Sequence, residues 1–432
     1  MFTKQTIRNV HIEGKTVLLR AELDAPLSED GKTVTSDFRL INAIPTIKAL
    51  LDARCKIVII GKLGRPKNQP NPKMSLAPVA KRLEKLLGHE IGFVKDCIGD
   101  KVHEASSNLK PKQIVMLENI RFYPGEDAND EEFAKSLAED SNAQIFVQDC
   151  FASAHHIGAS MDAITHYLPS VAGLSLEKEV DTISNAMQNP EHPLMAIIGG
   201  AKVKDKIEII EKFIEIADFV AIGGALANPF LVAKGIKIGD SLYDKQELSI
   251  AKAVLKAAED EAKKRPFIFA VPLDGVVAES IDTSAPTRII DWGSNSFVDI
   301  VHYPKRVPTS DVEVHPKEKI LDIGPFSASF IAGGVQLAAT VVWNGTMGIT
   351  ETKSLQGPIG PTAHGTEIVI EALLGELGHK PFVVVGGGDT VGYVESRGLI
   401  DSFGHVSTGG GASLELMAGH KLPGVEALMD KK

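Results

Sequence analysis

Phe382–Thr390 has the sequence FVVVGGGDT, which combines an apolar run, a glycine turn and two residues that commonly begin helices. The β-branched run Phe382–Val385 predicts a buried parallel strand. The three glycines that follow allow a tight turn and a close approach of the backbone to a ligand. Asp389 and Thr390 then stand at the expected start of a helix, where both are favourable cap residues.

A strand, a glycine turn and a helix N-terminus together form an anion site, because the free N–H groups and the helix dipole face the ligand. Asp389 would repel a bare phosphate, but it would be favourable if Mg²⁺ accompanied the phosphate. Two interpretations are therefore open for this stretch taken alone. It is either a Mg-nucleotide site at the carboxyl end of a parallel strand or a tight βα turn with an Asp cap.

Strand and helix patterns alternate along the first part of the chain. The predicted strands are Thr16–Arg20, Lys56–Ile60, Gln113–Leu117 and Gln144–Gln148, and the predicted helices are Arg39–Leu51, Ala77–Leu87 and Asp130–Asp140. This alternation predicts a parallel sheet with helices on both faces. Functional groups of such sheets lie at the carboxyl ends of the strands.

The pattern begins again after a helix predicted at Glu177–Gln188. The strands predicted there are Leu194–Ile198, Phe219–Ile222, Phe267–Val271, Lys319–Ile323, Thr340–Trp343, Phe382–Val385 and His405–Val406. We therefore predict an α/β protein with two doubly wound, Rossmann-like parallel-sheet domains joined by a hinge helix. The predicted domains are residues 1–172 and 173–411.

Composition narrows the possible partners and compartment. The chain has 432 residues, 44% of them hydrophobic, and a net charge of −10, which argues against nucleic acid as the main partner. Cys55, Cys97 and Cys150 are far apart and form no C-x-x-C pair, which favours a reducing compartment. No signal peptide and no run long enough to span a bilayer is evident. We expect a soluble cytoplasmic monomer with no membrane partner.

Cations follow several predicted strands in the first half. They suit a small anionic substrate, although solvated loop cations are the plainer alternative. The candidates are Arg39, Lys62, Arg65 and Arg121.

In the second half, Lys202 and Lys206 are four residues apart after Gly199-Gly200. On a helix they would share one face and could reach the outer phosphates of a nucleotide, or they are simply two exposed helix lysines. Glu351 is a candidate contact for a ribose hydroxyl, with a solvated loop acid as the alternative.

Familiar cofactor and metal patterns are not matched. No G-x-x-x-x-G-K-[ST] sequence is present, and Val391 occupies the third glycine position of G-x-G-x-x-G, which disfavours a P-loop or a nicotinamide site. His155 and His156 are a possible metal or acid–base pair, but adjacent residues of a strand or helix face apart, so we expect no metal bound by both.

Seven motifs in order resemble the phosphoglycerate kinase family over nearly the whole chain. They are KLGRP from Lys62, LENIRF from Leu117, GGAKVKDK from Gly199, LDIGP from Leu321, WNG from Trp343, GGGDT from Gly386 and STGGGASLE from Ser407. The resemblance implies reversible phosphoryl transfer between 1,3-bisphosphoglycerate and ADP, giving 3-phosphoglycerate and ATP, a step of glycolysis and gluconeogenesis. It also implies an N-terminal acceptor domain, a C-terminal nucleotide domain, closure about the hinge, and a C-terminal tail, residues 412–432, that packs on the N-terminal domain.

The resemblance assigns roles residue by residue. Arg39 and Lys202 match the residues that neutralise and follow the transferring group, and Gly387 and Gly410 complete the implied catalytic set. Asp389 matches the ligand of Mg²⁺, which is the implied cofactor as MgATP or MgADP. The implied nucleotide contacts are Lys202, Lys206, Gly223, Gly224, Asn344, Glu351, Gly387, Gly388, Asp389 and Thr390. The implied acceptor contacts are Glu22, Asp24, Arg39, Lys62, Arg65, Arg121 and His156.

Departures from the family pattern concentrate in the acceptor half. Glu22, Asp24, Lys62 and His156 stand where the family usually has Asp, Asn, His and Arg, and Thr346 replaces a proline. Asp24 adds negative charge and His156 removes a guanidinium fork, whereas Lys62 adds a cation that can compensate. Three hypotheses follow: a phosphoglycerate kinase with a rewired acceptor site, a related phosphotransferase with another small acid as acceptor, or a weakly active nucleotide-binding paralogue. We favour the first, because a purely binding protein would not need Arg39, Lys202, Lys206 and Asp389 together.

Overall fold

The computed structural model describes residues 2–201, 204, 206–292, 313–352 and 359–431. The chain divides into two compact units. The first comprises Met1–Ile183 and Gly411–Lys432, and the second comprises Ser184–Gly410. The C-terminal segment thus belongs to the same unit as the N-terminal half of the chain.

The first unit contains a six-stranded sheet in the order β3-β4-β2-β1-β5-β6, and every neighbouring pair is parallel. Its strands are β1 (Thr16–Arg20), β2 (Lys56–Ile60), β3 (Ile91–Val94), β4 (Ile114–Leu117), β5 (Ile145–Gln148) and β6 (Ser170–Ala172). Its helices are Phe38–Asp52, Ala77–Leu87, Asp100–Ser107, Pro124–Asp127, Glu131–Asp140 and Pro423–Glu426, and Leu174–Gln188 begins in this unit.

Burial on both faces explains the apolar strand sequences of this sheet. Val17 and Leu19 of β1 pack in one core with the helices Phe38–Asp52 and Ala77–Leu87. Leu18, which points to the opposite face, packs in a second core with Glu131–Asp140. Since each face is covered, these strands have continuous apolar runs rather than an alternation with polar residues.

The second unit contains another parallel six-stranded sheet, in the order β15-β14-β13-β7-β8-β9. Its strands are β7 (Leu194–Ile198), β8 (Phe219–Ile222), β9 (Ile268–Ala270), β13 (Thr340–Asn344), β14 (Phe382–Gly386) and β15 (His405–Val406). The helices here are Ile207–Ile216, Asn228–Ala233, Glu247–Ala262, Pro325–Val335, His364–Leu373 and Gly388–Ser396, and Gly410–Met417 begins at the unit boundary. Within the described residues, no helix is both long and apolar enough to cross a membrane.

The two parallel sheets confirm the predicted fold class, but the prediction for Lys319–Ile323 is wrong in one respect. This strand, β12, is not part of the parallel sheet. It pairs antiparallel with β10 (Asp274–Ala278), which also pairs with β11 (Arg288–Asp291) in a separate three-stranded sheet. An apolar run identifies a strand but does not identify its partner, and for that reason the sequence pattern did not separate β12 from its neighbours.

The helix Leu174–Gln188 contains the unit boundary, which falls between Ile183 and Ser184. Its first turn is anchored in the first unit by the buried Asp149 carboxylate, which accepts hydrogen bonds from the amides of Ser175 (2.9 Å) and Leu176 (3.1 Å). Burial is the largest influence on this carboxyl, and it raises the pKa of Asp149 to about 7.

Candidate functional site

The winding of the first sheet reverses at β1, which has β2 on one side and β5 on the other. Loops that follow these strands meet at the carboxyl edge of the sheet, where open α/β sheets place their ligands. Asp24 follows β1, Lys62 follows β2 and His156 follows β5. The sheet order therefore gathers the predicted acceptor residues at one edge.

Asp24 is the centre of this cluster. Its Oδ1 accepts a hydrogen bond from the Gly64 amide at 2.9 Å, and its Oδ2 lies 3.4 Å from Lys62 Nζ and 3.8 Å from Arg39 Nη1. The backbone oxygen of Asp24 accepts a further bond from Arg39 Nη1 at 2.5 Å. Burial by itself would raise the pKa of Asp24, but the charge of Lys62, the Gly64 amide and Arg39 outweigh it and lower the pKa. Asp24 is therefore held as a carboxylate that anchors two cations.

Arg39 lies in the first turn of the helix Phe38–Asp52. A cation at this position is opposed by the positive end of the helix dipole. The hydrogen bond to the Asp24 backbone oxygen and the negative charge of the Asp24 carboxylate, 3.8 Å away, offset this repulsion and hold the guanidinium, whose side chain keeps 33% of its surface exposed. A guanidinium held in this way is oriented and still open to a ligand.

Further cations face His156. Arg121 donates from Nη1 to the Gly64 oxygen at 3.0 Å, and its Nε lies 3.3 Å from Asp127, while Arg65 is exposed. Burial is the main cause of the lowered pKa of His156, and the charges of Lys62, Arg121 and Arg65 lower it further. All three positive charges therefore act on the same imidazole, and the lowered pKa favours its neutral form at neutral pH.

Glu22 is in a different environment from these cations. The residue is 2% exposed, and its Oε2 accepts a hydrogen bond from Cys150 Sγ at 3.0 Å. Among the described residues, no donor reaches its buried Oε1. Glu22 therefore offers one free acceptor oxygen at the end of β1.

The two histidines do not face apart as predicted. They follow a short 3₁₀ turn rather than lying on a strand or helix, and their ring centroids are 3.8 Å apart. Burial and the neighbouring charges of His156 and Lys62 lower the pKa of His155 to about 4. The described residues contain no group of three His, Cys, Asp or Glu side chains that could hold a metal ion.

The second sheet reverses its winding at β7, between β8 and β13. Lys206 bridges this point: its Nζ donates to the Gly199 oxygen at 2.7 Å, to Asn344 Oδ1 at 2.7 Å and to the Asn344 oxygen at 3.1 Å. Lys206 directly precedes the helix Ile207–Ile216, so the prediction that it lies on a helix face is wrong. Lys202 lies outside the described residues.

Asn344 is oriented by this lysine. Because Oδ1 accepts from the ammonium group, Nδ2 is turned away from it, and no acceptor among the described residues reaches that buried group. A side chain added at Gly387 would place its Cβ 3.4 Å from this Nδ2. A buried donor without a partner is costly, so this amide is suited to an anionic ligand at the glycine turn.

The opening stretch forms the predicted strand, turn and helix. Gly387 has φ +90°, and the helix Gly388–Ser396 begins immediately after it. Asp389 is exposed in the first turn, whereas Thr390 is buried and its Oγ1 accepts from the Gly345 amide at 2.7 Å. Gly410 is close to this turn, since a Cβ there would lie 3.1 Å from the Gly388 nitrogen.

The remaining predicted nucleotide residues are dispersed around this edge. Gly223 and Gly224 follow β8, and the Gly224 amide donates to the Met347 oxygen at 2.9 Å. A small recess is lined by Gly224, Ala227, Leu231, Leu321 and Met347, among others. Glu351 is exposed after β13.

Sequence reasoning missed several partners of these residues. Cys150 beneath Glu22, Asp127 beside Arg121 and the Gly64 amide on Asp24 were not predicted. The sequence shows that Cys150 follows β5, that Gly64 follows β2 and that Asp127 comes after β4. No local pattern indicates which groups these residues contact.

Comparisons with known proteins decide the family. The sequence profile of the phosphoglycerate kinase family matches residues 7–420. The chain belongs to the phosphoglycerate kinase family. This confirms the predicted family and, with it, the prediction of an enzyme of the phosphotransferase class.

Relatives match along their full length. The chain is 42% identical to the phosphoglycerate kinase of Desulforapulum autotrophicum, covering 98% of this chain and 100% of the relative. It is 40% identical to that of Moorella thermoacetica, covering 99% and 100%. The phosphoglycerate kinase structure from Coxiella burnetii has a TM-score of 0.78 at 31% identity, with 98% of each chain covered. The structure from Pyrococcus horikoshii has a TM-score of 0.79 at 28% identity, covering 99% and 98%.

Proposed function

We propose that this protein is an active phosphoglycerate kinase, which transfers a phosphoryl group reversibly between 1,3-bisphosphoglycerate and ADP to give 3-phosphoglycerate and ATP. Full-length identity of 42% to a phosphoglycerate kinase supports the proposal. The structural observation that supports the proposal most strongly is the position of the Arg39 guanidinium. Asp24 holds it at the carboxyl edge of the first sheet, where the cations Lys62, Arg65 and Arg121 also follow their strands. A rim of such cations suits an acceptor that carries both a phosphate and a carboxylate.

The first unit is proposed to bind the phosphoglycerate. Arg65 and Arg121 would bind its phosphate, with His156 as a neutral hydrogen-bond partner. Glu22 Oε1 is a buried acceptor suited to a substrate hydroxyl. The acceptor carboxylate is already ionised at neutral pH, so the transfer needs no general base. Arg39 would neutralise the charge of the group in transfer, and positioning with charge neutralisation supplies most of the rate in this chemistry.

The second unit is proposed to bind the nucleotide phosphates. Gly387, Gly388 and Gly410 keep the backbone open at the helix start, where amide N–H groups can face a phosphate. Lys206 and the Nδ2 group of Asn344 would add a charge and a donor. Thr390 would hold the turn and contribute its hydroxyl, and Lys202 is proposed to follow the transferring group.

Asp389 is proposed to hold the Mg²⁺ of the nucleotide. The donor set fits, because Mg²⁺ in nucleotide sites takes one or two protein carboxylates and completes its shell with phosphates and water. Asp389 is a single exposed carboxylate beside the proposed phosphate position. The metal would neutralise phosphate charge, and the chain's own part is to orient it through this carboxylate.

Adenine is proposed to enter the recess beside Gly223 and Gly224, with Glu351 on the ribose. The recess holds about 10 Å³, room for no more than one water, so the base must displace side chains on entry. Met347 lines the recess and is the flexible side chain best able to move.

We further propose a cytoplasmic monomer. All three cysteines are free and buried, as suits a reducing compartment. Light scattering behind gel filtration would measure the mass, and we expect that of a single chain.

A coupled assay of the purified protein with ATP, Mg²⁺ and 3-phosphoglycerate tests the function. We expect turnover far above that of an Asp389→Ala variant. Turnover equal to that variant would refute the proposal. A panel of other small phosphorylated and unphosphorylated acids, run beside it, would reveal a different acceptor.

A further inference from the structure

We propose that Asp24 and Lys62 act as one coupled ion pair that positions Arg39, so that the acceptor site of this chain depends on both residues together. The inference rests on the proposed function. In this proposal Asp24 is a positioning residue. Its replacement of the usual Asn, considered alone, would suggest only a negative charge that weakens an anion site.

The geometry shows how Asp24 is used. Its carboxylate and backbone oxygen together meet three groups from two other segments: the Gly64 amide, Lys62 Nζ at 3.4 Å and Arg39 Nη1. Both side chains of the pair are substantially buried, with 14% of Lys62 and 25% of Asp24 exposed. Partly buried pairs are screened less by salt than exposed ones, so the coupling between them is expected to be measurable.

Charge explains why the two residues must change together. With Lys62 lost, the Asp24 carboxylate stands less neutralised beside an anionic acceptor and repels it. With the Asp24 carboxylate lost, Lys62 and Arg39 become neighbouring cations with no negative charge between them. Arg39 then keeps only its bond to the backbone oxygen of residue 24, and it also faces the unfavourable end of its helix dipole. The first loss weakens binding of the acceptor, whereas the second disorients the group that stabilises the transfer.

A double-mutant cycle of Asp24→Asn, Lys62→His and the double variant tests the pair. We expect Lys62→His to raise the KM for 3-phosphoglycerate about tenfold with a smaller change in kcat. Asp24→Asn should lower kcat about tenfold or more without raising KM, since the cations remain but Arg39 is held by the backbone bond alone, without the carboxylate. The double variant should recover to within about threefold of the wild type, which is a coupling of about thirtyfold in kcat/KM.

Two further variants separate positioning from general damage. Lys62→Arg keeps the cation and should stay within about threefold of the wild type. Lys421→Gln removes an exposed pair with Glu426 (2.8 Å) in the same unit and should leave both constants unchanged. The proposal would be overturned if the loss of kcat/KM in the double variant equalled the product of the two single losses to within about twofold.

A second readout separates this proposal from the proposed function. The pKa of the Asp24 carboxyl, followed by NMR, should rise in Lys62→Gln relative to the wild type, whether or not the enzyme turns over 3-phosphoglycerate. An unchanged pKa of the Asp24 carboxyl in Lys62→Gln would overturn the proposal that the two residues form a coupled ion pair. Absence of turnover together with the expected rise would instead refute the proposed function and leave the ion pair standing.

Discussion

Replacing Lys206 in the second unit should lower both the stability of that unit and its affinity for ADP. Lys206→Met keeps the length and apolar stem of the side chain but removes the ammonium group. Three hydrogen bonds are lost, two at 2.7 Å and one at 3.1 Å. Asn344 Oδ1 then loses the donor that fixes the orientation of the amide.

The magnitude follows from these contacts. The Asn344 backbone oxygen keeps the Gly199 amide as a donor, so that bond costs little. The bonds to Gly199 and to Asn344 Oδ1 are charge-assisted, and leaving a buried acceptor unpaired costs about 1–3 kcal/mol. After allowance for relaxation, we expect the free energy of unfolding to fall by about 2–3 kcal/mol, which lowers the thermal midpoint of this unit by about 5–10 °C.

Calorimetry of ADP binding and of thermal unfolding measures both effects. We expect ADP with Mg²⁺ to bind about 10- to 100-fold more weakly, since a phosphate contact and the amide orientation are lost together. Lys204→Met is the matched control, because Lys204 Nζ contacts exposed side chains, Asp244 at 3.3 Å and Gln246 at 3.1 Å. Its midpoint and affinity should match the wild type. Equal behaviour of the two variants would refute the role assigned to Lys206.

Three further predictions concern Asp149, Gly387 and His156. Burial raises the pKa of Asp149 to about 7 from an ordinary 3.8, so the folded state binds the proton more tightly, and the free energy of unfolding should fall as pH rises from about 4 to 7 and then level off. Urea unfolding of Asp149→Asn, compared with the wild type at pH 5 and pH 8, should lack this contribution. A pH dependence equal to that of the wild type would contradict the prediction. Gly387→Ala should weaken ADP binding at least about tenfold in calorimetry, because φ is +90° and the new Cβ lies 3.1 Å from Asn344 Oδ1, whereas Gly392→Ala, with open space, should not. His156→Arg should lower the KM for 3-phosphoglycerate about three- to tenfold in the coupled assay by adding a permanent charge to the rim; an unchanged or higher KM would show that the rim does not contact the acceptor.

The parallel strands were predictable because burial on both faces leaves a simple sequence pattern. Thr16–Arg20, Lys56–Ile60 and Leu194–Ile198 have the predicted bounds. The pattern fails for β3, Ile91–Val94, which is only partly buried and contains a glycine, and for the three-residue β6, Ser170–Ala172. Such strands are defined by the neighbour they pair with, and their own residues do not indicate that neighbour.

The candidate site was predictable in its chemistry and less so in its pairings. Cations after strands and glycines before a helix have a local pattern, so Arg121 and Gly387 could be identified individually, whereas the role of Arg39 came from the family resemblance. A compensating role for Lys62 was foreseen from charge alone, but its 3.4 Å contact with Asp24 depends on β1 and β2 lying side by side. The position of Asn344 Nδ2, which has no partner within the part of the chain that the structure describes, depends likewise on β7 and β13 being neighbours.

The proposed acceptor of the phosphoryl group is the carboxylate of 3-phosphoglycerate, and chemical trapping of the product identifies that group. Phosphoryl transfer to the carboxylate of 3-phosphoglycerate gives an acyl phosphate, which hydroxylamine converts to a hydroxamate and free phosphate. We predict that the wild-type protein with MgATP and 3-phosphoglycerate forms hydroxamate in step with ADP, and that Asp389→Ala forms almost none. ADP release without hydroxamate would show transfer to another group or to water, and would contradict the proposed function.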